Sequence, residues 1–133
     1  MTRQQKSELQ GLKQAAIDGM VSYMRYGAAE IENHPDYDPT FDAGYSQEHV
    51  DRCSKIVDTY LDAVGAMRET GADPEILSEA KKAVTSLNNL NEVCGGSLIE
   101  TDQREQICRL MITAAKYAGL TLDGDFTEEW REW

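Results

Sequence analysis

Residues that could bind a metal ion lie near one another between positions 34 and 53. His49 and Cys53 are four residues apart, so in a helix their side chains share one face and could both bind Zn²⁺. His34 is the only other histidine of the chain. Cys53 also belongs to an apolar stripe, which predicts a thiol directed into the core. A metal-dependent helical-bundle enzyme using His34, His49 and nearby acids is one hypothesis, and a protein without a native metal is the other.

Other motifs of catalysis and cofactor binding are missing from the sequence. Counted from Asp36, a calcium-binding EF-hand loop would need glycine at its sixth and glutamate at its twelfth position, where Phe41 and Gln47 stand. The chain has no Glu-x-x-His pair of a di-metal bundle, no Gly-x-Ser-x-Gly and no glycine-rich phosphate loop. We therefore predict a protein that is not an enzyme and holds neither a metal nor a cofactor.

The segment GGSLIETDQREQIC, residues 95–108, concentrates charged residues after two glycines. Asp102 and Glu105 are three residues apart, which is the spacing of a capping box at the start of a helix. Thr101 could act as the cap instead, one residue earlier. Glu100 and Arg104 have no such local role, so we predict that they hold the C-terminal REW segment against the fold. Arg104 would do so by pairing with a carboxylate.

The last third of the chain resembles a family of uncharacterised small bacterial proteins. Its members carry an Asn-x-Leu helix end, then Ser-x-Ile-Glu-Thr-x-x-Arg-Glu, and they finish in Arg-Glu-Trp or Arg-Asp-Trp. The matching positions here are Asn88, Leu90, Ser97, Ile99, Glu100, Thr101, Arg104, Glu105, Arg131, Glu132 and Trp133. Gln103 departs from the small residue of that slot. The resemblance implies no activity, but it implies that Glu100, Arg104, Arg131 and Trp133 form one constellation.

Acidic residues outnumber lysine and arginine by 24 to 13, which gives a net charge of −11. Nucleic-acid binding is disfavoured, because it requires a basic surface that displaces counterions from phosphate. Binding to an anionic membrane surface is disfavoured for the same reason. No apolar run approaches the roughly 20 residues that span a bilayer, and the polar start MTRQQKSELQ is not a secretory signal. Three widely spaced cysteines are typical of reduced thiols in a cytoplasmic protein.

The negative charge is concentrated between positions 27 and 51, where seven acids occur without a lysine or arginine. Such a surface can attract a basic protein partner, and aromatic side chains among the acids can anchor it. The residues that we predict to bind a partner are Asp36, Tyr37, Asp38, Phe41, Asp42 and Tyr45. The leading hypothesis is a non-catalytic bacterial immunity or antitoxin-like protein that covers a basic partner. The alternatives are a solvated loop whose aromatic residues pack over the bundle, and a housekeeping or self-associating module of unknown oligomeric state.

Helical spacing of apolar residues runs through almost the whole chain. Four helices are predicted: one from the N-terminus to Pro35, one after Ser46, one after Asp73 that ends at Gly95 and Gly96, and one over residues 102–118. With 133 residues, they predict a single all-α domain over residues 1–133, an antiparallel four-helix bundle with one long acidic loop and a short C-terminal helical turn. Ser46 is predicted to cap the second helix and Thr127 the C-terminal turn. The apolar seam of the second helix is predicted at Val50, Cys53, Val57, Tyr60, Val64 and Met67. Asn88 and Asn91 flank the apolar stripe of the third helix. They indicate a polar layer, a partner contact or a frayed last turn.

Overall fold

The structure of the protein is a computed structural model, and it describes residues 1–25, 42–67 and 73–133. Four α-helices and a short 3₁₀ turn follow one another in these ranges, and none of the described residues forms a strand. Their bounds are α1 Arg3–Met24, α2 Gln47–Gly65, α3 Asp73–Val93, α4 Thr101–Tyr117 and the 3₁₀ turn Phe126–Glu129. The predicted all-α bundle with a C-terminal helical turn is confirmed. The greater part of the predicted acidic loop and the predicted end of the first helix at Pro35 lie outside the described residues.

The core forms where the apolar stripes of the helices meet. α1 packs mainly against α4 and α2 mainly against α3, while α1 also contacts α2. The predicted seam of α2 is buried throughout this helix, at Val50, Cys53, Val57, Tyr60 and Val64. The hydroxyl of Tyr60 donates to the backbone oxygen of Met111 at 2.8 Å, which fixes α2 to α4. None of the described helices is long and apolar enough to cross a bilayer.

One side of the bundle is completed by a non-helical segment. α3 and α4 have little backbone contact with each other, whereas the 3₁₀ turn packs against α3. This turn belongs to the C-terminal tail, residues 120–133. Thr127 of the tail is completely buried, and Trp130 and Trp133 pack partly buried against the core. The tail therefore covers apolar surface that a closer α3–α4 contact would cover in a regular four-helix bundle.

The helix starts are closed by local hydrogen bonds. Thr2 and Gln5 form a reciprocal capping box at α1, with bonds of 2.8 and 3.1 Å. At α2, the predicted cap residue Ser46 is confirmed. Its backbone N–H donates to Nδ1 of His49 at 3.0 Å. The side chain of His49 thus has a structural partner at the beginning of the helix.

α4 begins earlier than predicted. Glu100 is its N-cap residue, and the first helical hydrogen bond runs from the Arg104 N–H to the Glu100 oxygen at 2.8 Å. Asp102 therefore lies in the first turn, so the predicted capping box of Asp102 with Glu105 is wrong. The reason lies just upstream, where Ile99 is buried and its N–H donates to the side-chain oxygen of Asn91 at 3.0 Å. Because this bond holds the chain against α3, Glu100 takes the N-cap position and the helix starts at Thr101.

Candidate binding site

A groove of about 570 Å³ runs along the outer side of the α2–α3 pair. We call it the α2/α3 groove. Its residues recur at steps of three and four on each helix, so each helix contributes one face. The lining residues are Arg52, Lys55, Ile56, Thr59, Tyr60, Glu79, Lys82, Ala83, Ser86, Asn89, Leu90 and Val93. A second cavity of about 260 Å³ lies between the start of α1 and the end of α2.

The floor of the α2/α3 groove is apolar. Tyr60 and Leu90 are buried parts of the core, and their outer surfaces continue into the groove. Ile56 is half-buried, and Val93 is 68% exposed, the largest exposed fraction among the large apolar side chains of the described residues. Such apolar surface bordered by polar side chains is typical of sites that bind a ligand or a protein.

The rim of the groove is positively charged, although the chain as a whole is strongly acidic. Arg52, Lys55 and Lys82 line it, against the single acid Glu79. Lys82 pairs with Glu79 at 3.0 Å, and Arg52 pairs with Glu48 at 2.8 Å. Both cations are more than half exposed in these pairs, so each pair contributes little and its cation remains available to another anion. The groove therefore presents local positive charge beside an apolar floor.

Two of the six residues predicted to bind a partner lie within the described residues. Tyr45 is buried, and its hydroxyl donates to the backbone oxygen of Met20 at 2.7 Å. It therefore packs the chain over the bundle, as one of the sequence alternatives held. Asp42 is exposed and accepts the N–H of Gly44 at 2.8 Å. Asp36, Tyr37, Asp38 and Phe41 lie outside the described residues, as does His34.

The predicted constellation around Glu100 and Arg104 is built differently. Neither side chain makes a hydrogen bond or an ion pair with the described part of the chain. The tail is held instead by Asn88 of α3. Its amide nitrogen donates to the Trp130 oxygen at 2.8 Å, and its oxygen accepts the Glu132 N–H at 3.0 Å. Backbone recognition of this kind requires no charged partner from α4.

Arg131 and Trp133 do lie together, but their partners are within the tail. The Arg131 guanidinium lies 5.4 Å from the ring centre of Trp133 and pairs with Asp125 at 3.3 Å. Asp125 also accepts the N–H of Thr127 at 2.9 Å, which starts the 3₁₀ turn. The cap of this turn is therefore Asp125, and not Thr127. Each charged group thus has a structural role in shaping the tail.

The three cysteines are buried thiols without a disulfide. Burial raises the pKa of Cys53 to about 12, so this thiol remains protonated at neutral pH. Burial also raises the pKa of Cys94 and Cys108, an effect that Arg52 partly offsets at Cys94 and the Thr127 contact at Cys108. Because the thiolate is the nucleophile and the metal ligand, these side chains are poorly suited to either chemistry.

Metal-ligating side chains do not converge in the described ranges, where no group of three or more His, Cys, Asp or Glu residues is arranged to hold a metal ion. His49 is part of the α2 start, and Cys53 lies in the α2 seam at 1% exposure. Comparisons with protein-family models, curated proteins and solved structures find no match for this chain. The resemblance of the C-terminal third stays a prediction that rests on its residues.

Sequence reasoning missed the α2/α3 groove. The apolar stripes were assigned to the core, and Ile56 and Val93 lie beside those stripes. Ile56 and Val93 could have indicated the groove, because apolar side chains outside the core-facing stripe are not explained by core packing. Both line the groove together with Arg52, Lys55 and Lys82. That signal becomes specific only when α2 and α3 are known to be neighbours.

Proposed function

We propose that this chain is a non-catalytic binding protein that holds a protein partner in the α2/α3 groove. The observation that supports this function is the combination of an apolar floor with a cationic rim. Protein interfaces bury an apolar centre inside a polar border, and the apolar floor of the groove, continued by the exposed Val93, offers such a surface. The buried thiols and the structural role of His49 offer less support for catalysis by these side chains.

Site-specific photo-crosslinking in cells tests this function. A photoreactive residue at Val93 should give a discrete protein adduct, and the same residue at Leu122 provides the control. Leu122 is matched because it is also a large exposed apolar side chain, at 48% exposure, but lies outside the groove. The purified partner should then bind in vitro, and Lys55→Glu should weaken that binding. Adducts that form equally at both positions, or none at Val93, contradict the proposal.

The second candidate function is the immunity-like protein that covers a basic partner. One observation favours it: the acids of the tail are exposed, whereas Arg131 is turned inward to Asp125. The exposed acids are Asp123, Glu128, Glu129 and Glu132. Together with Asp36, Asp38 and Asp42 they could attract a basic protein and accelerate its association. Copurification with the product of the neighbouring gene tests this function. It fails if no partner appears and charge reversal at Asp36, Asp38 and Asp42 changes no phenotype.

A further inference from the structure

The backbone of the α2/α3 groove limits the conformation of its occupant. Both walls are α-helices, whose interior N–H and C=O groups bond within the helix. An extended peptide gains affinity by adding a strand to a sheet edge, and no strand exists in the described residues to accept one. These walls therefore favour an occupant that satisfies its own backbone hydrogen bonds, as an α-helix does.

The dimensions of the groove also suit a helix. Its lining residues on α3 run from Glu79 to Val93, which at 1.5 Å per residue corresponds to roughly 21 Å. A helix of about 14 residues has this length. Ala83 and Ser86 lie midway along this wall, and their small side chains leave room for a large apolar side chain of the occupant.

The charges of the groove determine the kind of helix. Lys55 has no acidic partner within the described residues. Arg52 lines the α2 wall and pairs with Glu48, and Lys82 lines the α3 wall and pairs with Glu79. Cations thus line both walls of the groove and outnumber these nearby acids, so the complementary partner is negatively charged. At a physiological ionic strength the Debye length is about 8 Å, so these nearby charges act on an occupant more strongly than the acids elsewhere in the chain.

We propose that the α2/α3 groove binds one acidic amphipathic α-helix of a partner protein. This proposal rests on the proposed function and specifies it. The helix places large apolar residues at i, i+3, i+4 and i+7 on the floor, and its flanking aspartates and glutamates face Arg52, Lys55 and Lys82. This is the helix-in-groove mode of recognition.

The test is an unbiased selection of helical peptides. A displayed library of capped 14-residue peptides, varied at every surface position, is selected on the purified full chain. We expect enriched peptides that carry the apolar spacing above and a net negative charge. In ¹H–¹⁵N spectra, a selected peptide should shift the amide signals of Ser86, Asn89 and Val93.

Charge reversal supplies a matched pair of variants. Lys82→Glu should weaken binding of a selected peptide roughly three- to tenfold, because an attractive surface pair becomes a repulsive one. Lys81→Glu changes the net charge by the same amount on the same helix, but Lys81 does not line the groove. This control should bind within about twofold of the wild type.

The outcomes separate the two proposals. Basic or neutral peptides that bind the groove overturn the acidic helix but leave the binding function intact. A selection without groove binders, together with no crosslink at Val93, overturns both. If light scattering shows a dimer that Val93→Asp dissociates, the occupant is a second copy of the chain, and the acidic helix is overturned. Equal effects of the two lysine reversals also overturn it.

Discussion

Replacing Asn88 by alanine tests how the C-terminal tail is held. The side chain is 9% exposed and makes two hydrogen bonds to the tail, at 2.8 and 3.0 Å. Each such bond contributes about 1 kcal/mol net, so the loss of both costs about 2 kcal/mol. Alanine is a better helix former than asparagine by about 0.6 kcal/mol. The expected decrease in the free energy of unfolding is therefore about 1.5 kcal/mol.

Urea unfolding followed by two signals measures this effect. Both tryptophans of the chain, Trp130 and Trp133, lie in the tail, so tryptophan fluorescence reports on the tail while circular dichroism reports on the helices. With a urea dependence of about 1–3 kcal/mol per molar, the midpoint should fall by about 0.5–1.5 M. The emission of the native variant should also shift to longer wavelength, because a loosened tail exposes its indoles.

Asn89→Ala provides the matched control for this prediction. Asn89 is the exposed neighbour in the same helix, and the hydrogen bonds to the tail come from Asn88 and not from it. It therefore gains the same helix propensity without losing a bond, and the variant should equal or slightly exceed the wild type in stability. The reasoning is refuted if the two variants differ by less than about 0.5 kcal/mol, the usual range for exposed substitutions, and tryptophan emission is unchanged.

Three further predictions concern alkaline stability, backbone conformation and thiol reactivity. Burial raises the pKa of Tyr45 from 10.0 to about 12, so its contribution to stability is intact below pH 10 and is lost between pH 10 and 12. Tyr45→Phe should flatten that part of the pH profile of unfolding, and an unchanged slope contradicts this. Gly44 has φ +87°, and an added Cβ would clash with Oγ of Ser97, so Gly44→Ala should destabilise by more than about 1 kcal/mol. Gly11→Ala is the control, because Gly11 lies in a helix with open space around it, and this variant should stabilise by about 0.5–1 kcal/mol. Similar unfolding midpoints for the two variants would refute the left-handed backbone conformation of Gly44. The Cys53 pKa of about 12 leaves roughly one thiolate in 10⁴ molecules at pH 8. Cys94 and Cys108 are also buried, and burial raises their pKa. An aromatic disulfide reagent should therefore label no cysteine of the native chain and all three in urea, and stoichiometric native labelling contradicts the burial.

The helices were predictable from the sequence because each carries a regular apolar stripe and ends at recognisable residues. The α2 seam and the stop at Gly95 and Gly96 were both predicted correctly, and both glycines have positive φ angles of 65° and 81°. The start of α4 was missed because a tertiary contact, from Asn91 to Ile99, competes with the local capping signal at Asp102. Local patterns cannot predict a helix boundary that is set by a neighbouring helix.

The candidate site was less predictable, because it depends on which helices are neighbours. A groove is formed by two helices, and the sequence of one helix does not predict which other helix packs beside it. For the same reason, the sequence is compatible with three roles for Asn88. Its partners are backbone atoms of the tail, 42 and 44 residues away in the chain. Every residue has the same backbone groups, so the sequence does not show which of them Asn88 binds. The charged residues Glu100 and Arg104 were therefore the candidates for holding the tail.

The pairing of α1 with α4 has a consequence for the order of events during synthesis. α1 is made first, but the helix against which it packs most extensively begins only at Thr101. Most of the stability of a helix in a protein comes from tertiary packing of its apolar face, so α1 is not fully stabilised until α4 has emerged. At roughly 5–20 residues per second, the apolar stripe of α1 waits several seconds for its main partner. During that interval this stripe lacks the surface that covers most of it in the folded protein.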